Sequence, residues 1–392
     1  MLLSLALIFL VGMSLGKLFQ LMGLPQLLGM LLTGILLGPG VLNLLDPTIL
    51  ALSTDLRQIA LIIILIRAGL NLDVYDLKKV GRPAILMCFI PACFEIIGML
   101  LLGPRFFGLS LLDAAILGTV IAAVSPAVIV PRMLKLMETN YGTKKSIPQM
   151  ILAGASVDDV FVIILFTAFM GLAQGESITA AHLLNIPIAI VLGIFVGVFL
   201  GFMLAKIFTF LRIRDTGKVI ILLSLSFLLV TCEQWLSGIV SFSGLLAVMA
   251  LGVTLNQLKQ AVTIRLSLKF SKLWSGAEIL LFVLVGALIN LDYARNAGFL
   301  AVLIVVGSLF FRIVGVFVSL IGTNLDRKEK IFTAIAYTPK ATVQAAIGGL
   351  PLAMGLASGE IILTVAVLSI VVTAPLGAIL MDKTYRSFLS KD

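Results

Sequence analysis

Two adjacent aspartates, Asp158 and Asp159, stand in the middle of an apolar run, Gly154-Ala155-Ser156-Val157-Asp158-Asp159-Val160. Glu95, Arg312 and Lys340 are embedded in equally apolar surroundings, as is Arg67 in Leu65-Ile66-Arg67-Ala68-Gly69-Leu70, while Glu233 and Glu278 lie closer to the ends of such runs. At the centre of a bilayer such side chains cost roughly 2.5–3.5 kcal/mol each, so they are rare and normally paired or functional. Neighbours on a helix point about 100° apart, so the two carboxylates cannot share one environment. One is free to face a water-filled cavity while the other meets a basic partner. An ionised carboxylate with oxygen neighbours can hold Na⁺, the same group can hold a proton, and the two occupants compete. That division suits proton-coupled transport. The alternative, two structural carboxylates each locked to a basic residue, keeps a double acid in mid-span for packing alone.

The basic residues sort by position. Glu95 and Arg312 form the natural scaffold pair, for a reason given below. Lys340 directly follows Pro339, where it can pair with Asp158 or offset the carbonyl ends of a broken helix; a lysine, unlike an arginine, can also lose its proton when buried. Arg67 snorkels or stabilises a helix end. His182, the only histidine, is read as solvated near an external surface. Cys88, Cys93 and Cys232 form no Cys-x-x-Cys pair, so neither a disulfide framework nor a metal site is indicated, and they pack as small hydrophobes.

The elements that must carry these groups are membrane helices. Of 392 residues, 60% are hydrophobic and 12% charged, against about 45–50% and 25% in soluble domains. A span needs roughly 20 apolar residues, and uncharged stretches run from Leu18 to Leu45, Ala114 to Pro131, Ser177 to Ala205 and Gln234 to Leu258. Nearly the whole chain is consumed, leaving no room for a soluble catalytic or nucleic-acid-binding domain. The net charge of +9 is therefore not a nucleic-acid signal. The apolar start has its first charge at Lys17, after the hydrophobic run, and reads as a retained first helix.

Charged clusters and Gly/Pro turns separate thirteen expected helices, near 1–16, 25–45, 58–72, 84–103, 113–131, 148–173, 183–205, 219–234, 237–257, 273–291, 297–322, 331–355 and 360–381. Segments after odd-numbered helices, such as that holding Lys259, Arg265, Lys269 and Lys272, carry 22 of the 28 basic residues, whereas those after even-numbered helices hold only Arg57, Arg105 and Arg295. The positive-inside rule then sets the N-terminus outside and the C-terminus in the cytoplasm. Gly34-x-x-x-Gly38 and Gly193-x-x-x-Gly197-x-x-x-Gly201 permit close helix approach, by packing or dimerisation.

Two spans are interrupted near their middle, at Val124-Ser125-Pro126-Ala127-Val128 and at Tyr337-Thr338-Pro339-Lys340-Ala341-Thr342-Val343. A proline there frees a backbone carbonyl and favours unwinding, which lipid tolerates only where protein or a cavity surrounds it. The prolines lie 213 residues apart, and the same offset carries Glu95 close to Arg312. Helices four to six and eleven to thirteen thus read as two copies of opposite topology, a pointer to a secondary transporter with its site at the midplane.

With these residues assembled, the chain resembles the monovalent cation:proton antiporter superfamily over essentially its whole length, and within it the NHA-type sodium/proton antiporters. The resemblance is carried by Leu24-Pro25-Gln26-Leu27-Leu28-Gly29 through Gly34-Ile35-Leu36-Leu37-Gly38-Pro39, Ile66-Arg67-Ala68-Gly69-Leu70, Ala122-Ala123-Val124-Ser125-Pro126-Ala127-Val128, Asp158-Asp159 and Pro339-Lys340-Ala341-Thr342-Val343-Gln344-Ala345-Ala346. Departures stand at Ser125-Pro126, where many relatives carry Thr-Asp, and at Arg312, where some double-aspartate members carry lysine.

The resemblance implies an all-α, NhaA-like fold with inverted repeats and two discontinuous crossing helices. Its core comprises 84–173 and 297–381, with 1–72 and 183–291 mainly dimerisation or panel helices, moving like an elevator in a homodimer. It further implies that Asp159 alternately binds Na⁺ (or Li⁺) and H⁺, that Asp158 is its charge partner, and that Glu95 with Arg312 is the core ion pair. No cofactor, nucleic acid or enzymatic activity is implied, and the expected location is a bacterial inner membrane. A K⁺/H⁺ antiporter or channel-like efflux protein, and a Na⁺-coupled organic anion symporter, are the alternatives.

Overall fold

The structure, a computed structural model, describes residues 1–72, 81–173, 180–211, 213–236 and 242–391. The helices are α1 (Leu2–Leu21), α2 (Gln26–Leu37), α3 (Pro47–Ala51), α4 (Ser53–Asn71), α5 (Arg82–Met87), α6 (Ile90–Phe107), α7 (Leu111–Ala122), α8 (Pro126–Glu138) and α9 (Ile147–Ala173). They continue as α10 (Ala180–Phe210), α11 (Asp215–Leu236), α12 (Gly244–Leu258), α13 (Gln260–Ala287), α14 (Leu291–Ser319), α15 (Arg327–Ala336), α16 (Thr342–Ile347), α17 (Leu350–Ala353) and α18 (Gly359–Phe388). Among the described residues β structure is limited to one isolated bridge, Tyr141 to Lys391. The chain divides into two compact units: Met1–Arg57 with Asp76–Ala173 and Ile279–Asp392, and Gln58–Tyr75 with Gln174–Glu278.

Nine helices among the described residues are long and apolar enough to cross a membrane, so the thirteen expected spans are not reproduced by that measure. The remaining apolar helices, Gln26–Leu37, Gly244–Leu258 and Thr342–Ala353, are shorter, and α4 carries three charges, Asp55, Arg57 and Arg67. Gly38-Pro39-Gly40 stops α2 well before the expected residue 45, because proline lacks the donor that would continue the ladder.

The larger correction concerns 259–272, expected as a basic loop. Residues 260–272 are the first half of α13. Thr263, Leu266, Ser267 and Phe270 are buried at helical spacing, while lysine and arginine are good helix formers whose long stems reach outward from an apolar surface. Arg105 and Arg295 likewise stand inside helices, in α6 and α14. His182 belongs to α10, but its side chain lies outside the described residues.

Within the first unit α6 packs against α14 and α7, and α18 lies on α14 and α15. Small residues make the contacts close: a methyl group on Gly98 would meet Phe311 at 2.6 Å, and one on Gly315 would meet the Cα of Pro91 at 2.8 Å. The expected pair of three-helix units is visible in the element order, as α6, α7/α8, α9 and as α14, α15/α16, α18.

Local chemistry fixes the helix starts. The Ser110 hydroxyl caps α7 by accepting from Asp113 N–H. At α15 Asp326 and Glu329 form a reciprocal capping box, and Lys145 donates to Glu329 at 2.7 Å. That hydrogen bond holds the Lys145 ammonium above the usual lysine range.

Both glycine patterns serve packing within the chain. Gly34 and Gly38 sit against the Val283–Ala287 stretch of α13, and Gly193, Gly197 and Gly201 against α12. Gly34→Ala pushes its methyl carbon into the Val283 carbonyl and is expected to destabilise by about 1–3 kcal/mol. Gly298→Ala, in α14 with nothing within 4 Å, is expected to be neutral or stabilising by up to about 1 kcal/mol. Thermal unfolding midpoints of the two purified variants check the contrast.

Candidate ion-binding site

Helix α7 ends at Ala122 and α8 begins with Pro126 as its first helical residue. Ala123 and Ser125 are extended, with φ/ψ of −70°/142° and −88°/111°, as expected of a residue preceding proline. The second interruption spans 337–341, between α15 and α16. The two meet: Ser125 N–H donates to the Pro339 carbonyl at 2.8 Å. Gly377 on α18 permits the crossing to lie close, since a methyl there would stand 2.5 Å from the Pro339 ring.

The backbone groups freed by the breaks find partners. The Ala122 carbonyl accepts from Arg312 Nη1, and the Tyr337 carbonyl from Arg312 Nε at 2.6 Å. Gln344 Nε2 donates to the carbonyls of Ala123 (2.8 Å) and Ile121 (3.3 Å). Val124 N–H donates to Asp158 Oδ2 at 2.9 Å, and Lys340 N–H to the Thr373 hydroxyl at 2.8 Å. One peptide unit, Ala123–Val124, is therefore held at both ends, by Gln344 through its carbonyl and by Asp158 through its N–H.

Four buried charges at the crossing, Glu95, Asp158, Arg312 and Lys340, form one connected group. Arg312 Nη1 lies 3.0 Å from Glu95 Oε2 and Arg312 Nη2 lies 2.8 Å from Asp158 Oδ2. Lys340 Nζ is 2.6 Å from the same Glu95 oxygen. Of the two roles open to Lys340, pairing with Asp158 or offsetting the carbonyl ends of a broken helix, the first falls to Arg312, and the Lys340 ammonium pairs with Glu95. Glu95, Asp158 and Arg312 are fully buried and Lys340 nearly so. Two acids and two bases balance.

Asp159 is the exception. It is buried, at 8% exposure, yet forms no ion pair among the described residues, and its Oδ1 has no hydrogen-bond partner. The Asp158 Oδ1, Ser125 Oγ, Thr342 Oγ1 and Gln344 Oε1 atoms are also buried without a partner. These are hard oxygen donors of the kind alkali and alkaline-earth cations take. Thr338 spends its hydroxyl on the Ile335 carbonyl, and Pro126 contributes only its fixed geometry. Arg67 falls in the second unit.

Gln344 carries no charge, yet an amide inside an apolar half-helix is itself a signal in the sequence. Tyr337 flanks the second break. Its ring lies 5.5 Å from the Arg312 guanidinium, and Gly154, one turn before Asp158, makes room for its hydroxyl.

Interrupted helices crossing at buried charges within an all-helical membrane domain define an integral membrane ion transporter. Residues 5–382 match the transmembrane sodium/hydrogen exchanger family, and the chain belongs to it. It is 34% identical to human sodium/hydrogen exchanger 9B2 over 391 residues, covering 96% of this chain and 72% of that protein. Human sodium/hydrogen exchanger 9B1 is 31% identical, with 93% and 74% covered. Among solved structures, the sodium proton antiporter MjNhaP1 from Methanocaldococcus jannaschii superimposes with a TM-score of 0.85 at 21% identity, over 98% of this chain and 97% of that one. The last likeness establishes the fold.

Removing either member of a buried pair typically costs about 3–5 kcal/mol, because the remaining charge is left unpaired. Arg312 serves two acids and two carbonyls, whereas the Lys340 ammonium, among the described residues, serves Glu95 alone. Arg312→Gln is therefore expected to lower the thermal midpoint further than Lys340→Gln, and Glu95→Gln combined with Lys340→Gln to cost less than the sum of the two. Additive losses would show that Glu95 and Lys340 do not interact.

Proposed function

We propose that Asp159 is the carboxylate that binds Na⁺ (or Li⁺) and H⁺ in alternation, and that the protein exchanges the two across the membrane. The observation that carries the reading is the charge count at the crossing. Glu95 and Asp158 are balanced by Arg312 and Lys340, so an ionised Asp159 leaves one negative charge that one monovalent cation or one proton neutralises. The unpartnered oxygens of Ser125, Thr342, Gln344 and Asp158 offer further ligands for a dehydrated cation. The relatives' description as sodium/hydrogen exchangers supports the same substrates.

Alternating access follows if the core of 84–173 and 297–381, which carries Glu95, Asp158, Asp159, Arg312 and Lys340, moves with its bound ion as an elevator in a homodimer. Asp158 is its charge partner, oriented by Arg312 and by Val124 N–H. With the stretch from Lys259 to Lys272 set aside, the basic residues in the alternate segments of the expected spans, among them Arg132, Lys135, Lys144 and Lys145, support an N-terminus outside and a cytoplasmic C-terminus.

Asp159→Asn keeps the size of the side chain and removes its charge and its proton. In proteoliposomes with an imposed pH gradient, Na⁺- and Li⁺-driven dissipation is expected to vanish in this variant while its thermal midpoint persists; normal exchange would remove Asp159 from the site. Dissipation by K⁺ alone in the parent protein would move the assignment to a K⁺/H⁺ antiporter.

Competition for one group also fixes a sign. Bound Na⁺ favours the deprotonated carboxylate, so raising Na⁺ is expected to shift half-activation to lower pH, and lowering pH to raise the apparent KM for Na⁺ with little change in maximum rate. A KM constant from acid to alkaline pH contradicts competition.

A further inference from the structure

Arg57 and Arg312 are the two largest fully buried side chains among the described residues. Their surroundings differ. Every nitrogen of Arg312 is engaged, two of them by carboxylates. Arg57, which the charge pattern placed in a loop, is 1% exposed inside α4. Its Nε donates to the Ser53 carbonyl at 3.2 Å and its Nη2 reaches the Thr54 hydroxyl at 3.4 Å, while Nη1 has no partner. No carboxylate pairs with it among the described residues. A buried guanidinium without a counter-charge is expensive and persists only where something else offsets it.

What it lies against is the joint between α16 and α17. A methyl group on Gly349 would have its three nearest neighbours on the Arg57 guanidinium, at 2.5 Å (Nη1), 3.1 Å (Nη2) and 3.2 Å (Cζ). Gly349 immediately follows Gly348, the C-cap of α16. The last carbonyls of a helix lack intrahelical partners and together carry about half a negative charge. The guanidinium thus stands beside Gly349, at the C-terminal end of the half-helix whose other end enters the crossing. Thr342 and Gln344 are the first and third residues of α16, and Gln344 holds the peptide whose N–H binds Asp158. A helix of six residues is only about 9 Å long, so a shift at one end is felt at the other.

We infer that Arg57 is a positioning residue that clamps the C-terminal end of α16 and thereby fixes the crossing beside Asp158 and Asp159. The inference rests on the proposed ion-binding role of that crossing. Gly349 belongs to the clamp because its missing side chain gives the guanidinium its seat.

The test uses the full-length purified protein with Arg57→Ala, Arg57→Lys, Gly349→Ala and the Arg57→Ala/Gly349→Ala double variant. Thermal midpoints in detergent report the contact. Gly349→Ala is expected to lower the midpoint when Arg57 is present and to add nothing once Arg57 is alanine; additive shifts overturn the clamp.

Transport reports the consequence. Arg57→Ala and Gly349→Ala are each expected to raise the Na⁺ concentration for half-maximal exchange at least about threefold at a maximum rate within about twofold of the parent. Arg57→Lys, which keeps a cation at the helix end, is expected to stay close to the parent. A lowered maximum rate with the parent's Na⁺ dependence, as from partial loss of folded protein, overturns the inference. Should Arg57→Ala fail to fold, Gly349→Ala decides by the same criterion. If the parent protein shows no Na⁺-driven proton movement, the proposed function fails, while the midpoints still decide whether Arg57 and Gly349 act together.

Discussion

The constraint on which the structure depends is that a helix cannot be interrupted within a membrane without its freed peptide groups finding partners. Prolines at 126 and 339 interrupt two helices, and the interruptions cross, with Ser125 bonded to Pro339. Arg312, Gln344, Asp158 and Thr373 then supply the missing hydrogen bonds. The residues that make the crossing possible are largely those that give it charge. Arg312 illustrates the economy: one guanidinium satisfies a carbonyl from each break and binds an acid from α6 and another from α9.

Charge balance is the second consequence. Each buried charge is costly alone, and the pairing of Glu95 with Lys340 and Arg312, and of Arg312 with Asp158, removes most of that penalty. The network leaves Asp159 outside. Among the described residues Asp159 forms no ion pair while its neighbour Asp158 is held by Arg312, and the proposed exchange of occupants at Asp159 rests on that difference. Gln344 adds a directional element: its NH₂ is committed to carbonyls of the first break, so its own oxygen is the face left available.

Much of this was legible from residue types because each feature is anomalous in an apolar chain. The double aspartate, the lone acid and bases, and the two prolines with matched flanks each break a hydrophobic run. The partners were less legible. Helical spacing separates Asp158 from Asp159, but whether Arg312 or Lys340 reaches Asp158 depends on lateral packing of helices far apart in sequence, which periodicity does not encode. Charges also misled. Lys259 through Lys272 read as a loop because basic residues served as separators, although Thr263, Leu266, Ser267 and Phe270 mark a buried stripe. Arg57 was assigned to water for the same reason, and Gln344 was overlooked because it is uncharged.

The central claim is that Na⁺ and a proton exclude one another at Asp159. Proton release on Na⁺ addition to the purified protein, followed with an indicator dye in weakly buffered solution near the pH of half-maximal activity, tests it without reference to transport. The account predicts release that saturates with Na⁺, disappears at high pH where the site is already deprotonated, and is absent in Asp159→Asn. Saturable Na⁺ binding without proton release, or release that survives in Asp159→Asn, would contradict it.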